Sequence, residues 1–146
     1  KMLDIRALSA FDAEAMSELY SHSFPDEWPV SFFQEKLKTT CVAYGSFDVN
    51  QLLGFVFVQL IEGEAEILTF CVDPAYRTQG IGSQILNYFL QQSKILDCFL
   101  EVESTHKAAI SLYERAGFMQ KGRRKGYYKK PDETPQDAII YGYSKK

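Results

Sequence analysis

The chain is poor in histidine, has no long apolar run and carries no excess of positive charge. His22 and His106 are its two histidines, too few for the usual imidazole-based ligand sets, so no catalytic metal is expected. Cys41, Cys71 and Cys98 are odd in number, sit in apolar strand-like stretches and show no C-x-x-C spacing. They read as buried thiols of a reducing cytosol, not as disulfides or metal ligands. The best apolar run, Leu52 to Val58, is interrupted by Gly54 and stopped by Gln59. It falls well short of the ~20 residues that cross a bilayer, and the first residues lack the apolar stretch of a secretory leader. A net charge of −3 with a pI near 5.4 argues against general nucleic-acid binding. No membrane association and a cytoplasmic location are therefore expected. Repeats, low-complexity tracts and interdomain linkers are missing too.

The chain has 146 residues, 46% of them apolar, with 9 Tyr and 11 Phe. That is enough for one domain, residues 1–146, with a substantial core and no disorder. The patterning predicts strands at Leu3–Arg6, Thr40–Tyr44, Leu52–Ile61, Ala65–Val72, Phe99–Val102, Phe118–Tyr128 and Asp137–Tyr143. It predicts helices at Phe11–Ser23, from a capping box at Ser31-Phe32-Phe33-Gln34 to about Lys38, at Gly80–Gln92, and at Lys107–Ala116, the last stopped by Gly117. The order β-α-α-β-β-β-α-β-α-β-β makes a single-domain α/β (α+β) sandwich. One segment, Lys121-Gly122-Arg123-Arg124-Lys125 followed by Tyr127-Tyr128-Lys129-Lys130, runs against the acidic balance. It fits a solvated strand face, an RNA contact or a phosphate-facing rim.

Arg77-Thr78-Gln79-Gly80-Ile81-Gly82, directly after the apolar run Ile67–Val72 and Asp73-Pro74, is the most informative stretch. A strand feeding a Gly-rich turn and an amphipathic helix (Ile81, Ile85, Leu86, Phe89, Leu90) offers free first-turn N–H groups and a positive dipole end to a pyrophosphate. Glycines at 80 and 82 let the backbone approach phosphates closely, and Arg77 can add charge-assisted hydrogen bonds. A P-loop would need Lys-Ser or Lys-Thr where Ser83-Gln84 stands, and a dinucleotide fingerprint would need a third glycine where Ile85 stands. What remains, R-x-x-G-x-G, resembles the acetyl-CoA motif of the GNAT N-acetyltransferase superfamily.

The second half of the chain extends the resemblance. Glu64 through Pro74, the R-x-x-G-x-G turn, Leu100-Glu101-Val102, Ala108 through Glu114, Ala116-Gly117-Phe118 and Asp137-Ala138-Ile139-Ile140 together resemble the RimI-type subfamily, which acetylates N-terminal alanine of proteins. The match is close from about Leu53 to Ile140 and looser before it. It implies the GNAT fold: a mixed, mostly antiparallel seven-stranded sheet flanked by about four helices and splayed between strands 4 and 5. It also implies acetyl-CoA as cosubstrate, with no metal. The backbone of Phe70, Cys71 and Val72 would pair with the pantetheine arm, and Arg77, Thr78, Gln79, Gly80, Ile81, Gly82 and Ser83 would form the pyrophosphate turn. His106 stands where the subfamily has an Asn that contacts the cofactor.

The chemistry explains what such a site must hold. Acetylating an amine needs a neutral nucleophile, a stabilised oxyanion and a proton for the departing thiolate. An α-amine titrates at about 7.7–8.0 against about 10.4 for lysine, so freeing its lone pair at neutral pH is easier by roughly 3.5 kcal/mol. A modest carboxylate suffices. The resemblance assigns that base to Glu101 and the thiolate's acid to Tyr113, whose phenol stays protonated at pH 7. Glu66 is a rival or auxiliary base; alternation puts it with Leu68 on one face of its strand, with Ile67 and Thr69 on the other. The resemblance implies that Trp28, Tyr127 and Tyr128 line the acceptor groove. Direct transfer is expected over a covalent route, because no His base accompanies Cys71. The resemblance alone implies that the acceptor is a protein N-terminus, in particular the N-terminal alanine of the eighteenth small-subunit ribosomal protein; a monomer or weak dimer is expected. A small-amine acetyltransferase and a CoA-binding module without turnover are the alternatives.

Overall fold

A computed structural model describes residues 3–77 and 79–145; Thr78, named above for the pyrophosphate turn, lies outside them. Seven strands form one sheet in the order β1-β2-β3-β4-β5-β7-β6: β1 (Asp4–Ala7), β2 (Cys41–Asp48), β3 (Gln51–Ile61), β4 (Glu64–Val72), β5 (Asp97–Glu103), β6 (Met119–Tyr128) and β7 (Gln136–Ser144). Every neighbouring pair is antiparallel except β4 and β5. Four helices cover the sheet: α1 (Ala13–Ser23), α2 (Val30–Leu37), α3 (Ile81–Leu90) and α4 (Lys107–Arg115).

Helical spacing decides which face each helix buries. α1 turns Ala13, Met16, Leu19 and Tyr20 inward, and with Phe33 of α2 they meet Phe55 and Phe57 of β3 in one core. Phe33, Phe55 and Phe57 are fully buried, and each contributes about 1.5–3 kcal/mol by leaving water. On the opposite face, Ile81, Ile85, Leu86, Phe89 and Leu90 of α3 and Tyr113 of α4 close a second core with Leu100 and Val102 of β5.

Some local expectations change. α2 starts at Val30 behind Pro29, and no side chain caps it. The capping box expected at Ser31 is therefore not formed: extended Pro29 takes the cap position and leaves Ser31 inside the first turn. A capping box does form at Ser9 and Asp12, where the reciprocal acid is Asp. Phe11 sits in a 3-10 turn before α1 and is 99% exposed. At the other end of the chain the expected stop holds: Gly117 follows α4 with φ +105°, and Phe118 N–H donates to the Tyr113 carbonyl at 3.0 Å.

Candidate active site

The site begins with an irregularity in β4. Phe57 faces Thr69, but the next residue, Val58, faces Ile67, so Leu68 is an extra residue without a partner on β3. Such a bulge bends the strand and shifts its side-chain phase. Ala65 and Ile67 point into the core under α3 and α4, and beyond the bulge Phe70 and Val72 take that face. Leu68 and Cys71 pack into the core under α1 and α2, and Thr69 Oγ1 lies 3.9 Å from Cys71 Sγ on that side. Simple alternation, which kept Thr69 with Ile67, is corrected here.

The same bend parts the sheet. β4 and β5 pair only at Glu64–Asp97, Ala65–Cys98 and Glu66–Phe99. Beyond those rungs the strands diverge, as expected from the sequence. A cleft of about 710 Å³ fills the α3–α4 side of the opening. Of the residues read from the sequence, Phe70, Val72, Arg77, Gly80, Ile81, Gly82, Ser83, His106 and Tyr113 line it. Cys71 is on the strand but turns its thiol into the other core, and burial pushes that thiol up to about 12. Gln79 is exposed at the turn.

Gly80 caps α3 at φ +80° with no side-chain hydrogen bond to the helix start. A non-Gly residue there costs about 1–2 kcal/mol. Gly82 is different. A Cβ would stand 3.5 Å from Leu112 and 3.7 Å from Val72, which are ordinary contacts, so packing alone does not demand glycine. The first turn of α3 thus presents uncapped N–H groups beside a bare stretch of backbone, a setting that suits a diphosphate. Arg77 is exposed at the cleft and bonds to its neighbours: Nε donates to the Val72 carbonyl at 3.3 Å and an Nη to Ser23 Oγ at 3.4 Å. His106 is exposed at the start of α4 and makes no side-chain cap.

Tyr113 is 6% exposed, held between Phe70 (centroids 6.4 Å apart) and Phe118 (5.5 Å). Its hydroxyl meets no hydrogen-bond partner among the described residues, while the residue lines the cleft. Burial raises its pKa above the ordinary phenol value, with the nearby Cys98 and Cys71 sulfurs adding to the effect. It therefore keeps its proton at neutral pH.

Glu101 lies on the opposite side of β5. Cys98, Leu100 and Val102 enter the α3–α4 core, so Phe99, Glu101 and Glu103 face the side of this half-sheet that no helix covers. Glu101 Oε1 is buried and accepts no aligned hydrogen bond, although Arg124 Nε stands 2.8 Å away as an ion pair. The Arg124 guanidinium lies 5.2 Å over the Tyr127 ring, and the Tyr127 and Tyr128 rings meet edge-on at 5.3 Å. The Tyr128 phenol is raised by burial first and by the Glu101 charge second. Glu101, Tyr127 and Tyr128 are thereby brought together. Glu66 lines a separate groove of about 270 Å³ with Gln59, Ile61, Glu62, Glu64 and Phe99, on the same face as Glu101.

Trp28 goes elsewhere. It stacks on Tyr20 at 4.6 Å and 11°, touches Phe32, Phe33 and Phe57, and its carbonyl accepts from Ser17 Oγ at 2.8 Å. Among the described residues no ring contact or hydrogen bond joins it to Tyr127 or Tyr128. The basic run resolves as the charged outer strand of the sheet, two of its cations held by Asp137 and Glu101. Sequence reasoning missed Ser23, Phe24 and Tyr76 in the cleft wall, along with Ser111 and Arg115 of α4. The last two stand four apart and share a 2.9 Å hydrogen bond. That i, i+4 spacing was the one available signal.

Comparison with known proteins gives this geometry a family. Residues 13–118 match the Acetyltransferase (GNAT) family. The chain belongs to the GNAT acetyltransferases. The N-alpha-acetyltransferase RimI of Mycobacterium tuberculosis is 33% identical over 132 residues, spanning 86% of this chain and 84% of the relative. The ribosomal protein bS18-alanine N-acetyltransferase of Escherichia coli is 30% identical over 126 residues, 84% of this chain and 83% of that one. The crystal structure of the ribosomal-protein-S18-alanine N-acetyltransferase from Escherichia coli superposes with a TM-score of 0.87 at 26% identity, covering 98% of this chain and 94% of that chain. Arabidopsis thaliana NAA60, solved in complex with acetyl-CoA, shares the fold at a TM-score of 0.84 and 21% identity, over 99% of both chains. As a GNAT acetyltransferase the chain draws its acetyl group from acetyl-CoA, and the uncapped turn, the bare Gly82 and the long cleft fit that cosubstrate. No described helix is long and apolar enough to cross a membrane.

Proposed function

We propose that this acetyltransferase modifies the α-amine of a protein N-terminus, with the N-terminal alanine of ribosomal protein bS18 as acceptor, in the cytoplasm. The observation that carries the reading is the placement of two protonic groups on opposite sides of one opening. Tyr113 lines the cleft under α3 and α4, and Glu101 sits across β5 with a buried carboxylate oxygen whose one close partner is the Arg124 guanidinium at 2.8 Å. The names of the relatives support the acceptor.

The roles follow from what each group can do. Bound acetyl-CoA supplies a thioester carbonyl open to attack. The first turn of α3, Gly80 to Ser83, would hold its diphosphate, and the Phe70–Val72 backbone would flank its pantetheine arm. Arg77 fixes that turn by tying β4 to Ser23 at the end of α1. Glu101 takes the ammonium proton of the incoming N-terminus, directly or through water; as an α-amine it needs only a weak base at neutral pH. Tyr113 returns a proton to the departing sulfur, a task suited to a phenol kept neutral by burial. Tyr127 and Tyr128 border the acceptor side. Trp28 acts through the loop between α1 and α2, whose position it holds from within the aromatic core. Glu66, in its separate groove on the Glu101 face, would meet residues of the acceptor beyond its first.

Free-thiol release from acetyl-CoA tests the reading. Three acceptors are compared at equal concentration: an Ala-initiated peptide copying the bS18 N-terminus, the same peptide N-terminally blocked with one internal lysine, and spermidine. Turnover on the first alone is expected. Preference for either of the others overturns the N-terminal acceptor and leaves the acetyltransferase in place.

A further inference from the structure

The outer strand β6 is not a regular edge. Arg124 pairs with Ala138 and Tyr128 with Gln136, so three residues of β6, Lys125, Gly126 and Tyr127, stand opposite the single Asp137 of β7. An unsupported excursion of that size on an exposed strand would fray. Here one carboxylate holds it. Asp137 Oδ1 accepts the Gly126 N–H at 2.9 Å, Oδ2 accepts from the Arg123 guanidinium at 2.6 Å, and the Asp137 carbonyl accepts the Ser104 N–H at 2.9 Å. Gly126 turns at φ +62°, the left-handed conformation that glycine adopts most cheaply. The clamp thus joins the end of β5, the start of β7 and the middle of β6.

What the excursion carries is the acceptor side of the site. Arg124 immediately precedes it and reaches Glu101; Tyr127 belongs to it and lies under the Arg124 guanidinium; Tyr128 closes it beside Glu101. We propose that Asp137 is a positioning residue for the acceptor: without touching substrate, it fixes the β6 excursion that sets Arg124, Tyr127 and Tyr128 around Glu101, and so sets how tightly an amine-bearing chain is gripped. The cofactor cleft, formed by β4, α3 and α4, lies across β5 and shares none of these groups. Acceptor binding and cofactor binding are therefore separable at this one residue. The inference rests on the acceptor lying on the Glu101 side.

The test is a split between two Michaelis constants in Asp137→Ala and Asp137→Asn. The acceptor used is whichever of the three above the native enzyme turns over best, so that an unexpected acceptor overturns the proposed function without disabling this test. Asp137→Ala is expected to raise the KM for the acceptor about ten- to a hundredfold, the range for misplaced binding groups, with the KM for acetyl-CoA within about twofold. Asp137→Asn keeps a carbonyl oxygen for Gly126 and is expected to recover part of that loss. Hydrogen exchange on the same proteins gives a readout independent of turnover. In Asp137→Ala, amides 123–128 lose protection while β4 and α3 keep theirs. Parallel rises in both KM values, an unchanged acceptor KM, or unchanged protection of 123–128 would each overturn the assignment.

Discussion

The two halves of the sheet, joined by three rungs between β4 and β5, are built on different plans. From β1 to β4 the sheet is covered on both faces, by α1 and α2 on one and α3 on the other, with an aromatic core of Tyr20, Trp28, Phe33, Phe55 and Phe57. From β5 to β6 it is covered on one face, by α4, and its other face carries Glu101, Arg124 and Tyr127 into the open. Most of the buried core belongs to the first half. Under the proposed function, that bare face leaves room for a polypeptide acceptor, which a helix there would exclude.

The largest effect expected from breaking this division is catalytic. Glu101→Gln and Tyr113→Phe should each lower kcat by about 10²–10⁴, Glu101→Gln with little change in the KM for acetyl-CoA, as steady-state kinetics would show. A loss under about tenfold at Glu101, with a larger one at Glu66→Gln, would move the base from β5 to β4. Next comes a change in the double-covered half. Trp28→Ala should cost about 2–3 kcal/mol in a urea titration, less than a fully buried aromatic because the indole is only partly buried, while the acceptor KM stays nearly level. A large acceptor KM effect without lost stability would instead return Trp28 to the groove.

The smallest effect sharpens the comparison through acid. Asp12 is desolvated, which alone would raise its pKa, but hydrogen bonds from the Arg6 guanidinium and the Ser9 N–H outweigh this and hold it below the usual carboxylate value. Asp137 is lowered chiefly by the Gly126 N–H, then by Arg123. A folded pKa below the unfolded one, about 3.9, gives stability that is present above that value and lost as pH falls through the folded one. Melting temperatures between pH 5 and 2 should therefore fall less steeply in Asp12→Asn than in the native protein. In Asp137→Asn the acid loss should be confined to the β6 excursion, seen by exchange more than by melting.

Much of the first face of this site was legible because its signals are local. R-x-x-G-x-G, a strand before it and a helix after it occupy one short stretch, so spacing carried the turn from Arg77 to Gly82, and the resemblance added Phe70 and Val72 of the strand. Tyr113 was readable from the match around it. The Glu101 face is assembled across long gaps: Glu101 meets Arg124, and Gly126 meets Asp137, contacts that only strand pairing creates. The bulge at Leu68 left no mark either, since Glu64 to Val72 reads as an ordinary run of strand formers. The packing of Trp28 was illegible for a physical reason of its own. An indole in a loop can face a groove or plug a core, and the decision lies with Tyr20 and Phe57, which arrive from other elements.

That bulge amounts to a counting rule. From Ile67 to Phe70, the two side chains that must share a face, the chain takes three steps; two or four would alternate cleanly and need no irregularity. Deleting Leu68 would leave Ile67, Phe70 and Val72 on their present face and Cys71 on the other, with a straighter strand. Straightened, β4 would run alongside β5 past the Glu66–Phe99 rung and close the opening that the cleft occupies. The difference between a filled sandwich and one with a working gap is, along this strand, the parity of a single number.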